Sequence, residues 1–61
     1  MTKEEFKSRW EQENGDGITF EDIAECAVKW GISKSPMTRN MFKLGNKVLV
    51  AAGLEPYWET E

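Results

Sequence analysis

Apolar residues recur along this chain at helical spacing, in three runs separated by turn-forming clusters. Phe6 and Trp10 lie four apart among charged residues and predict a first helix over residues 3–13. Thr2 followed by Glu5 has the order of a capping box, in which a hydroxyl and a carboxylate satisfy the first free amides. Asn14-Gly15-Asp16-Gly17 is a turn cluster that ends this helix. Phe20, Ile23, Ala24, Ala27 and Trp30 repeat the spacing over residues 20–30, with Thr19 and Asp22 as a second capping pair. Glu21, Asp22 and Glu25 stand early and Lys29 late, as the helix dipole favours. Gly31 follows as a natural C′ residue, and Ile32 is placed to pack back. In the third run, Met37, Met41, Leu44, Val48 and Ala52 form one stripe, which Phe42 and Leu49 widen. It predicts a helix over 36–52, capped by Ser35, with Pro36 at the first position, where its missing amide costs nothing. Gly53 closes this helix and Leu54 can fold under it.

Gly45-Asn46 interrupts the third run. A glycine inside a helix costs about 1 kcal/mol relative to alanine, and a Gly-Asn pair between two apolar runs also reads as a hairpin turn. Val48, Leu49 and Val50 are contiguous rather than alternating, which favours the helix, kinked or split at Gly45. The expected fold is therefore all-α, a single three-helix domain over residues 1–61. A winged helix with a hairpin at Gly45-Asn46 is the alternative. Pro56 makes the C-terminal tail extended. Tyr57 and Trp58 either fold back over the core edge or stand out as an aromatic pair that docks a partner.

Composition narrows the function. A chain of 61 residues buries only roughly 60% of its unfolded surface, but three tryptophans, three phenylalanines and a tyrosine compensate for short length. Cys26 is the single cysteine and histidine is absent, so neither an internal disulfide nor a usual zinc spacing can be written. This suits a reducing compartment, with Cys26 an inert packed thiol. No apolar run approaches a bilayer span, and the acidic start does not resemble a signal peptide. The chain is expected to be cytoplasmic and complete. Without histidine to activate Ser33, Ser35, Thr19 or Thr38, and with the serines explained as turn or cap residues, no general base or activated nucleophile is expected. The reading is a non-enzyme without cofactor or metal.

Charge is segregated along the chain. Residues 1–25 carry a balance of −5, residues 26–54 a balance of +5 without any acid, and residues 55–61 a balance of −3. The middle block, Lys29, Lys34, Arg39, Lys43 and Lys47, is the strongest functional hint. Either it is neutralised by the acidic segments across the fold, or it forms a cationic face.

Residues 14–22, Asn-Gly-Asp-Gly-Ile-Thr-Phe-Glu-Asp, resemble the calcium loop of EF-hand proteins. With Gly17 at the glycine position, Ile18 comes one residue early, Gln12 replaces the first aspartate and Asp22 replaces the bidentate glutamate. The segment therefore reads as a helix–helix turn. A second resemblance lies in Asp22-Ile23-Ala24-Glu25-Cys26-Ala27, Gly31-Ile32-Ser33 and Met37-Thr38-Arg39, which together look like the helix-turn-helix of lac-repressor-type DNA-binding domains. It covers residues 22–39. Val28, Lys29 and Trp30 stand between the alanine and the glycine that are adjacent in that family. Three helical residues advance by roughly 300°, which keeps the buried face but moves the turn.

This resemblance implies that the third helix reads DNA. Lys34, Thr38, Arg39, Asn40, Lys43 and Lys47 are then the nucleic-acid candidates, and Asn46 belongs to the same polar face. Arginine and lysine can contact guanine or phosphate, and asparagine can pair with adenine. The bland reading of the same residues is the solvated side of an amphipathic helix. A binding module of another class, a small adaptor, would use Met37, Met41 and Phe42 as an adaptable apolar surface, with Tyr57 and Trp58 as anchors. A homodimer paired through the third helix is the remaining alternative.

Overall fold

A computed structural model describes residues 1–13, 17–35 and 39–59. It has three helices, α1 (Lys3–Glu13), α2 (Phe20–Lys29) and α3 (Met41–Ala51), and no strand among the described residues. The chain is a small all-α domain.

The first two helices begin where their caps lie. The Thr2 hydroxyl accepts from the Glu5 amide at 3.1 Å. At α2 the box is reciprocal: the Asp22 amide donates to the Thr19 hydroxyl at 3.2 Å, and the Thr19 amide donates to the Asp22 carboxylate at 3.1 Å. Gly31 adopts φ +75, and the Ile32 amide returns to the Ala27 carbonyl at 2.8 Å, so Ile32 packs back on the core as its position implied. Gly53, at φ +84, does the same for α3, with the Leu54 amide on the Leu49 carbonyl at 2.8 Å.

Two expectations about the third helix need correction. It starts at Met41 rather than at residue 36, and its cap is Asn40, whose side-chain oxygen accepts from the Lys43 amide at 2.9 Å. Ser35 lies ahead of it in a turn with Ser33, the Ser33 hydroxyl donating to the Ser35 carbonyl at 2.7 Å. Pro36, Met37 and Thr38 lie outside the described residues, as do Asn14, Gly15 and Asp16 of the calcium-loop comparison. The hairpin alternative also falls: Gly45 and Asn46 lie inside α3.

The core follows the apolar stripes. Phe6, Ile23, Ala27, Val48 and Leu49 are at most 1% exposed, with Ala24, Cys26, Leu44 and Ala52 buried around them. Ile23, Cys26 and Ala27 of α2 cluster with Leu44, Val48 and Leu49 of α3, and α1 adds Phe6, with Trp10 packed against the cluster. Phe42, expected to widen the buried stripe, faces outward instead at 49% exposure. The outer face of α3 carries Lys43, Lys47 and Val50, at the i, i+4 and i+7 positions of one side.

Candidate functional site

Three tryptophans, three phenylalanines and one tyrosine join into a single network of ring contacts. At its buried end Phe6 meets Trp30 edge-on at 5.6 Å and stacks with Trp10 at 6.2 Å. The Trp30 indole N–H donates to the Met1 carbonyl at 3.2 Å and ties down the N-terminus, while the Lys3 ammonium sits 5.9 Å above its ring. From Trp10 the network passes to the tail, reaching Tyr57 at 5.3 Å and Trp58 at 5.6 Å. Trp58 is the junction. It contacts Phe20 at 5.7 Å and Phe42 at 5.9 Å, and those two rings meet edge-on at 5.3 Å.

Trp58 is held by two residues of α3. Gly45 presents bare backbone, and the indole fills the space where a side chain would project; a Cβ built there overlaps the ring. One residue on, the Asn46 side-chain oxygen accepts from the Tyr57 and Trp58 amides, both at 3.0 Å, and its nitrogen donates to the Trp58 carbonyl at 2.8 Å. A single carboxamide thus satisfies three backbone groups of an extended tail, and Trp58 is the partly buried ring that the core accepts. The tail does fold back, but its two aromatics differ, since Tyr57 remains 59% exposed.

The outer end of the network is open. Phe20, Phe42 and Tyr57 are 40%, 49% and 59% exposed, and they line up on Trp58 as one aromatic ridge. Of the expected partner-contact residues, Tyr57 and Trp58 belong to this ridge, Met41 is half-buried against the core, and Met37 lies outside the described residues. Phe20 completes the ridge, although its place as the first apolar position of the α2 stripe implies burial.

The expected nucleic-acid residues are not gathered in one turn of helix. Lys43 and Lys47 share the outer face of α3, Arg39 and Asn40 precede that helix, Lys34 stands in the connection, and Thr38 lies outside the described residues. Lys34, Arg39, Lys43 and Lys47 are exposed, and among the described residues no carboxylate holds them. Asn40 uses its oxygen as a cap, and Asn46 is committed to the tail. α2 ends at Lys29 and α3 begins at Met41, a wider separation in sequence than the about three to four residues of a helix-turn-helix.

Cys26 is 2% exposed in the core, where burial pushes its thiol above the ordinary value, as suits a packing role. No group of acids, cysteine or histidine able to hold a metal occurs among the described residues. None of the described helices is long and apolar enough to cross a membrane. No protein-family model, curated protein or solved structure matches this chain.

Proposed function

We propose that this chain is a non-catalytic module that docks another protein through the aromatic ridge of Phe20, Phe42, Trp58 and Tyr57. The observation that carries this reading is the state of the rings. They are ordered against one another by edge and tilted contacts, yet three of them are more than one-third exposed. Rings already held in place lose little conformational freedom when a partner covers them. Tyrosine and tryptophan are also the side chains that most often dominate interface energetics.

A photo-reactive phenylalanine analogue at position 42, in living cells of the native host, tests this. The expected result is a discrete crosslinked protein species that is missing when the same analogue replaces Val28, an exposed side chain outside the ring contacts. Equal labelling at both positions, or none at position 42, refutes the reading.

A second reading has one observation in its favour. Lys34, Arg39, Lys43 and Lys47 are exposed without carboxylate partners among the described residues. Lys43 and Lys47 share the outer face of α3 and, with Lys34 and Arg39, would engage DNA phosphates if the helix-turn-helix resemblance holds. Its test is fluorescence anisotropy with mixed-sequence duplex DNA at two salt concentrations. Absence of binding at low salt, or binding that survives Arg39→Ala combined with Lys43→Ala, removes it.

A further inference from the structure

We infer that the C-terminal tail is a strap that gates the ridge: seated, it builds the ridge, and lifted, it takes the ridge apart, with the Asn46 carboxamide as its latch. The gating of docking rests on the reading above, whereas the lifting of the strap is measurable without any partner.

The strap has few holds. The Leu54 amide, on the Leu49 carbonyl, is the last backbone group of the chain that bonds to another. Among the described residues, every hydrogen bond the tail makes beyond Leu54 goes to the Asn46 side chain. Glu55, Pro56, Tyr57 and Glu59 are exposed, and Trp58 alone of these five is partly buried. Its indole lies in the slot over the bare backbone of Gly45, packed against the core cluster without belonging to it. Releasing one carboxamide and withdrawing one indole therefore frees the tail while Phe6, Ile23, Ala27, Val48 and Leu49 stay buried together. An opening that leaves the core intact costs less free energy than global unfolding.

The ridge depends on the same holds. Two of its four rings, Tyr57 and Trp58, ride on the strap. The other two, Phe20 and Phe42, each touch Trp58, and without it they keep only their contact with each other. Trp10 loses both of its contacts with the tail. Asn46 bonds only to main-chain groups of residues 57 and 58, so it sets how often the four rings stand together without being one of the surfaces a partner reads. A partner that reads all four rings binds in proportion to the seated fraction. By reciprocity, its binding holds the strap down.

The decisive measurement is amide hydrogen exchange on the intact wild-type chain, followed by NMR. The Tyr57 and Trp58 amides are expected to exchange faster than those of Val48 and Leu49. Exchange of all four at one common rate means that the strap lifts only when the chain unfolds, and overturns the proposal. Asn46→Ala should raise the lifted population by about tenfold. With 4-fluorophenylalanine at the three phenylalanine positions, the fluorine signals of Phe20 and Phe42 should then shift while that of Phe6 stays. A helical Asn46→Ala variant with unshifted Phe20 and Phe42 signals also overturns it. If circular dichroism shows that the variant has lost its helices, the wild-type exchange result decides. The crosslink from position 42 tests the gating itself, and it should be lost in Asn46→Ala. A crosslink of equal yield in the helical variant refutes the gating. No crosslink from the otherwise wild-type chain refutes the docking reading instead, and leaves the lifting of the strap to the exchange and fluorine results.

Discussion

Phe6 and Trp58 are both large aromatic anchors, but they are held in different ways. Phe6 is fully buried in the core cluster supplied by the apolar stripes of three helices, with the Trp10 and Trp30 rings against it. Trp58 is half-buried, sits on bare backbone at Gly45, and depends on one carboxamide at Asn46. Removing a core ring leaves a void that close-packed neighbours cannot fill. Removing the tail ring returns one face of α3 to solvent. The first region determines whether the chain folds, whereas the second determines what the folded chain presents.

Substitutions can break or sharpen this contrast. Phe6→Ala should have the largest effect, a loss of about 3–5 kcal/mol. In a chain this small that approaches the whole margin, so thermal denaturation by circular dichroism should lose its cooperative transition. Asn46→Ala should cost about 1–2 kcal/mol, because it unpairs three backbone groups of the tail. Hydrogen exchange should then show the Tyr57 and Trp58 amides unprotected while those of α2 and α3 stay protected. If the whole chain loses protection together, the two regions are one cooperative unit and the contrast fails. Gly45→Ala should forfeit the gain of about 1 kcal/mol that such a change brings to an exposed helix interior, because the new methyl displaces the indole. A red-shifted tryptophan emission should accompany it; the full gain with unchanged emission would show that the slot is not occupied. Phe42→Ser should cost only about 0.5–1.5 kcal/mol, because it removes the ring contacts to Phe20 and Trp58 from a half-exposed side chain, with urea denaturation the measurement. A cost above about 2 kcal/mol would mean that the ridge is core.

Much of the fold was legible. Thr2, Thr19, Gly31 and Gly53 act on neighbours within a turn or two, so their roles follow from local spacing. The start of α3 was misread because Ser35-Pro36 and Asn40 are both good cap signals, and the later one prevails. The stripe of Leu44, Val48 and Ala52 fits either start. The candidate site was far less visible. Tyr57 and Trp58 were recognisable as anchors by residue type. Phe20 was not, since an apolar residue at the first position of a helix looks the same whether it turns inward or out. Asn46 was placed with the cations of α3 because a helical wheel assigns it to the polar side, which is correct, but that side is where the tail lies. A signal did exist in the form of a glycine retained inside an otherwise good helix, which indicates close approach by something else.

Periodicity, caps and turn residues were sufficient by themselves for three helices, their buried stripes and the absence of any familiar catalytic or metal-binding pattern. Those features depend on residues a few positions apart, whose relative placement is set by helical geometry. Only the tertiary structure decided that Gly45-Asn46 is a seat rather than a turn, that Trp58 joins the aromatic network, and that Phe20, Phe42 and Tyr57 remain outside. These outcomes depend on how α1, α2 and the chain end are oriented about α3, and that orientation is a property of the packed whole that no local pattern records.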